Sequence, residues 1–176
     1  LADPEDWELL AAAEAKTNPR IAETIGNLDL VPVERRVSGP GASYVMAPFT
    51  HCSPDRPGRF HDGHFGAYYA ARTFETAVAE VTYHQAQRLL DTRDEPGWIS
   101  DMRELVGAVR AKLVDIRVNG FDALLAPDDY ALSQAFARQQ RDAGKDGVVY
   151  PSVRNPGGEC IAAFWPDVVE KPVQGR

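Results

Sequence analysis

Between Gly58 and Leu90 the chain changes character twice, and this stretch sets what the rest must pack around. Gly58 to Gly66, GRFHDGHFG, is a glycine-punctuated loop that holds Arg59. Gly66 to Ala71 reads as a short aromatic strand centred on Ala67-Tyr68-Tyr69-Ala70. Thr73 then suits the N-cap of a helix from Phe74 to Leu90. On a helical wheel Phe74, Ala77, Val78, Val81 and Leu89 cluster on one side, which the pattern assigns to the core. Glu80 falls at the border of that stripe, with His84 one turn above it. A cation, an aromatic ring and a carboxylate thus come from three successive elements. Such a wall suits a polar, phosphate-bearing ligand that contains a ring.

The flanking segments give mixed signals. Asp3-Pro4-Glu5 starts a helix carrying Trp7, Leu9, Leu10 and Ala13 as far as Lys16, and a shorter helical piece runs from Arg20 to Ile25. Leu30 to Val37 alternates as a strand, weakened by Pro32, with Arg35 and Arg36 on opposite faces. Tyr44 to Phe49 is a second candidate strand, and His51 to Gly58 a loop with Cys52. Ser100 caps a short helix through Leu105. Ala108 to Val118 is strand-like, with a change of parity that indicates a bulge near Leu113. Asp128 or Asp129 opens a helix through Ala143 that Gly144 closes. Gly147 to Tyr150 and Cys160 to Trp165 are strands flanking the loop Pro151 to Gly158. This mixed order favours an α+β domain over a doubly wound sheet.

At 176 residues the chain can bury roughly 70% of its unfolded surface, so one compact domain is the expectation. The net charge of −7 argues against sequence-independent nucleic-acid binding, and suits a basic protein partner. Two cysteines, Cys52 and Cys160, make no disulfide scaffold and fit a reducing cytoplasm. No apolar run is long enough to span a bilayer. The chain starts at Leu1 without a methionine, the mark of a trimmed N-terminus.

Each candidate group has an ordinary reading beside a functional one. Arg35 or Arg36, Arg59 and Arg154 stand in or beside turns, where guanidinium forks bind diphosphate oxygens; a surface arginine is commoner. Glu80 can stabilise an oxocarbenium-like transition state at a sugar's anomeric carbon, or simply pair with His84. One of Tyr68 and Tyr69 packs and the other is free to stack on a ring. Ser152 can donate a hydrogen bond to a ribose or amide, and no Gly-x-Ser-x-Gly elbow surrounds it. His61, Asp62, His64, Glu80 and His84, with His51 and Cys52, could supply metal ligands, but none sits in a His-Glu-x-x-His or paired Cys-x-x-Cys pattern. A metal-dependent hydrolase is therefore one alternative. A non-enzymatic module whose arginines grip an acidic peptide is another.

Taken in order, ERRVSGPG, GRFHDGHFG, YYAA, TFETAVAEVTYH and YPSVRNPGGECIAAF resemble the RES domain over about Val31 to Val169. The resemblance implies a domain over 31–170 preceded by a helical extension, 1–30. The implied fold is similar to ADP-ribosyltransferase toxins, with a small split mixed sheet and flanking helices. It implies a cytoplasmic toxin of a type II toxin–antitoxin pair that consumes NAD as substrate and needs no metal. The implied partner is an Xre-type helix-turn-helix antitoxin. By motif, the family's first arginine matches Arg36, with Arg35 as rival, and its second matches Arg59. Its tyrosine matches Tyr69, its glutamate Glu80 and its serine Ser152, with His51 at the mouth. Arg36 and Arg59 would hold the diphosphate, Tyr69 and Ser152 the nicotinamide riboside, and Glu80 the oxocarbenium. Water, phosphate or a protein side chain could accept ADP-ribose. The chain departs from the family pattern in its long Gly39 to Gly58 connection and in the Gly157-Gly158 pair.

Overall fold

The computed structural model describes residues 25–92, 97 and 101–175. The helices expected before Ile25 and the cap expected at Ser100 lie outside the described residues.

The architecture is α+β. A four-stranded mixed sheet has the order β1 (Tyr68–Ala71), β5 (Glu159–Ala163), β4 (Gly147–Pro151), β3 (Val114–Asp115). β1 and β4 flank β5 antiparallel, while β3 joins β4 in parallel. A separate pair, β2 (Leu105–Val106) and β6 (Val173–Gln174), runs antiparallel. Among the described elements, the α-helices α1 (Ala42–Thr50), α2 (Phe74–Leu90) and α3 (Ala131–Asp142) accompany the sheets.

β5 is central and buried on both faces. Cys160 and Ala162 join Phe60, Phe65, Tyr150, Phe164 and the α3 residue Ala137 in the main core. Ala163, one residue on, points the other way to Val45 of α1, Val168 and Val169. Phe60 and Phe164 are at most 1% exposed. Burying each contributes roughly 1.5–3 kcal/mol, and truncating Phe164 to alanine would cost about 3–5 kcal/mol.

Five expectations need correction. Leu30 to Val37 is not a strand: two 3-10 turns, Leu28–Leu30 and Val33–Arg35, replace it. Pro32 has no N–H for a ladder, and Arg36 donates to the Val31 and Leu28 carbonyls that a neighbouring strand would have used. Tyr44 to Phe49 is helical rather than extended. Its buried residues Val45, Met46, Phe49 and Thr50 repeat at one-turn spacing, a period that a short apolar run does not reveal. The helix expected through Leu105 is absent over 101–105, because Leu105 and Val106 pair with β6. The long strand Ala108 to Val118 is broken into a bridge, Val109 to Val169, and the short β3, with the break where the parity changes. The seventeen-residue helix α2 has its expected bounds and its Thr73 cap. Its orientation is rotated from the expectation: Phe74, Val78 and Val81 are exposed, and only Thr76 is buried.

Candidate active site

That rotation follows from what α2 bonds to. Thr73 Oγ1 accepts the Thr76 N–H and fixes the first turn. One turn beyond Thr76, on the same face, stands Glu80. The loop after β4 comes back over this face because Ser152 N–H donates to the Gly158 carbonyl, closing a hairpin between β4 and β5. Ser152 Oγ donates to Glu80 Oε1 at 2.6 Å and accepts the N–H groups of Arg154 and Asn155 at 3.2 and 2.9 Å. A hydroxyl has one proton and two lone pairs, so Ser152 is fully engaged. Its job in this state is to orient the carboxylate.

The floor beneath Glu80 is β5. Cys160 Sγ lies 3.8 Å from Glu80 Oε1, and burial, with the carboxylate beside it, pushes this thiol up to about 12. It is therefore a neutral floor residue at physiological pH. Tyr150 next to it is buried, and desolvation raises its phenol well above the ordinary range. At the open side, His84 Nε2 is 4.0 Å from Glu80 Oε2. Burial lowers the His84 pKa, Glu80 opposes that shift, and Arg154 and Arg59 reinforce it. His84 accordingly favours its neutral form at pH 7.

Two cations stand close enough for His84 to feel their charge. Arg59 is buried, lies over the Tyr130 ring at 4.6 Å, and donates to the carbonyls of Leu124, Ala126 and Pro127. Arg154 lies over the Tyr83 ring at 3.3 Å and reaches the Pro127 carbonyl and Asp128. Tyr83 O–H in turn donates to Asp128. Both guanidinium groups therefore clasp the loop over 124–128, and among the described residues each keeps part of its fork unspent.

Tyr69 faces the same side of the sheet, opposite to Tyr68, which packs against both α1-side clusters. Tyr69 keeps 38% of its surface open, yet its hydroxyl end is enclosed, where it accepts the Phe60 N–H at 2.8 Å. Burial raises its pKa above the ordinary phenol range. Gly58 permits this: a Cβ there would stand 2.6 Å from His61 Nε2 and 2.9 Å from the Tyr69 hydroxyl.

Glu80, Ser152, Arg59, Arg154 and Tyr69 thus share one side of the sheet. The other candidates have different partners. Arg36 braces the Val31 and Leu28 carbonyls and lines a separate cleft of about 360 Å³ with Leu28 and Met46. Arg35 makes a two-pronged pair with Asp167 and stacks on Trp165. His51 ends α1 and is exposed. His61 is enclosed beside Tyr69, and Asp62 accepts from the His64 N–H and pairs with Arg138. Among the described residues no three His, Cys, Asp or Glu side chains converge to hold a metal ion. A larger groove, about 650 Å³, lies on the far side of α2 and is lined by Tyr68, Phe74, Val78, Val81, Met102 and Val106. Neither cleft includes Glu80 or Ser152.

Tyr83, Asp128, Tyr130, Asn155 and Cys160 belong to the neighbourhood although the motifs did not assign them to the site. Tyr83 had a usable signal, being three residues from Glu80 and so on the same helix face. Asp128 and Tyr130 had none, since only the fold brings 124–130 over Arg59.

The family model of the RES domain matches residues 33–176. No curated protein matches the chain. No helix among the described residues is long and apolar enough to cross a membrane.

Proposed function

This chain belongs to the RES domain family, and from that premise we propose that it is the toxin of a bacterial toxin–antitoxin pair that cleaves NAD at the nicotinamide–ribose bond. The observation that carries the reading is the 2.6 Å hydrogen bond between Ser152 and Glu80, residues 72 apart in sequence. It fixes a carboxylate on the side of the sheet that also carries Arg59, Arg154 and Tyr69.

Arg59 and Arg154 take the diphosphate with the unspent arms of their guanidinium forks. Arg36 is left out because it lines a separate cleft with Leu28 and Met46. The open face of Tyr69 stacks on the nicotinamide riboside. The C1′–N bond then breaks, and its electron pair leaves with nicotinamide as a neutral base. No acid is needed, since the leaving ring is already a cation. Positive charge develops on C1′ and the ring oxygen, and the oriented Glu80 carboxylate stabilises it. Water, phosphate or a protein side chain adds to C1′ and loses a proton, giving ADP-ribose, its phosphorylated form or a modified protein. Its cognate partner is a helix-turn-helix antitoxin.

The test is to incubate the purified chain with NAD, with and without phosphate and with a cell lysate, and to identify products by mass spectrometry. Free nicotinamide together with one of the three ADP-ribose products is the expected result. NAD recovered intact under all conditions contradicts the proposal.

A further inference from the structure

The Gly157-Gly158 pair and Asn155 have no role in the mechanism above, yet they lie between Ser152 and the helix that carries Glu80. Asn155 Nδ2 donates to Thr76 Oγ1 at 2.9 Å, and Thr76 is 1% exposed. Thr76 Oγ1 stands 3.0 Å from Thr73 Oγ1, which also accepts the Thr76 N–H. Asn155, Thr76 and the N-cap hydroxyl therefore form one connected line of hydrogen bonds from the serine loop into the first turn of α2.

The backbone closes the same unit. Gly158 N–H donates to the Asn155 carbonyl at 2.8 Å, and Ser152 N–H donates to the Gly158 carbonyl at 2.9 Å. Gly157 has φ +82°, a left-handed conformation natural to glycine. At Gly158 the loop passes so close to the helix that a Cβ would meet Thr76 Oγ1 at 2.6 Å and Cγ2 at 2.8 Å. The glycine pair lets the loop turn and then lie directly on Thr76.

We propose that Thr76, Asn155 and Gly158 are positioning residues that dock the serine loop on α2 and so hold Ser152 against Glu80. Thr76 and Glu80 are one helical turn apart, so a loop pinned at the first is presented to the second. The Arg154 and Asn155 N–H groups reach Ser152 Oγ only while the loop keeps this turn, and their two bonds leave the hydroxyl proton to Glu80. Loosening the dock frees that proton to turn elsewhere. The kinetic half of this inference rests on the NAD reading; the structural half does not.

The experiment compares the full chain with Thr76→Val, Thr76→Ser, Asn155→Ala, Gly158→Ala and the Thr76→Val/Asn155→Ala double variant. Hydrogen exchange of the Arg154 and Asn155 amides is read by NMR, and NAD turnover is measured as nicotinamide release. Thr76→Val and Asn155→Ala are expected to speed exchange at both amides and to lower kcat about tenfold each, the worth of one buried hydrogen bond. KM for NAD should stay within about twofold, because the arginines that take the diphosphate are untouched. Thr76→Ser, which keeps the hydroxyl, should restore both readouts, and the double variant should be no worse than either single change. Gly158→Ala should reproduce the defect. Unchanged exchange in both Thr76→Val and Asn155→Ala overturns the inference, as does a Thr76→Ser variant no better than Thr76→Val. If Thr76→Val does not fold, the half-buried Asn155→Ala variant carries the same two readouts. A wild-type chain that releases no nicotinamide removes the NAD reading, and amide exchange then decides the dock alone.

Discussion

The two long sides of α2 contrast in a way its composition reverses. The apolar side, Phe74, Val78 and Val81, faces an open groove and stays between 45 and 57% exposed. The polar side, Thr76 and Glu80, is the one pinned to the sheet through Asn155, Ser152 and Cys160. Hydrophobic pattern sets helix orientation only when an apolar partner is present to cover the stripe. Here a chain of hydrogen bonds holds the helix by its other side.

If that contrast is functional, substitutions on the two sides must separate. Glu80→Gln keeps shape and removes the charge facing the reacting carbon; nicotinamide release should fall about 100-fold or more, with the circular dichroism spectrum unchanged. Equal activity in this variant would break the comparison at its strongest point. Ser152→Ala removes the hydroxyl donor to Glu80 and should lower kcat about tenfold while NAD binding, read by titration, persists. Arg59→Ala removes the donor to the carbonyls of Leu124, Ala126 and Pro127 and should cost about 1–3 kcal/mol of stability in a denaturant titration, besides raising KM.

An acid titration separates the sheet from both sides of the helix. The Asp115 carboxyl is held at about 2 by Arg117, against an ordinary 3.8. Its folded pKa is the lower one, so its stabilising contribution is complete above pH 3.8 and is lost as pH falls towards 2. Thermal unfolding measured from pH 5 to 2 should show a shallower acid decline in Asp115→Asn than in wild type, with activity at pH 7 unchanged. The smallest effect belongs to the open side: Val78→Ser should change stability by less than about 0.5 kcal/mol and leave turnover alone. A large loss there would mean that the groove, and not the Glu80 side, is the working surface.

Much of this was legible in the residues. Thr73 and the run to Leu90 mark a helix with its cap, because both signals are local. Gly147 to Tyr150 and the strand after Gly158 are continuous apolar segments between turn residues, which suits strands buried on both faces. The misread elements are those where non-local bonds decide. Pro32 and the Arg36 fork turn an alternating segment into 3-10 turns, and α1 shows its helical period only through what Val45 and Phe49 pack against. In the site, Glu80, Ser152, Arg59 and Tyr69 carry motif signals. The partners that fix them do not, since Asn155 meets Thr76, and Pro127 meets Arg59, only across the folded sheet. Arg36 shows the converse. Its motif match says nothing of the separate cleft that it lines with Leu28 and Met46.

The measurement that most directly tests the reaction centre assigned here is single-turnover nicotinamide release from NAD by wild type, Glu80→Gln and Val78→Ser, each checked for fold by circular dichroism. The account predicts wild-type release from Val78→Ser and almost none from Glu80→Gln. Wild-type release from a folded Glu80→Gln chain, or loss of release in Val78→Ser alone, would contradict it.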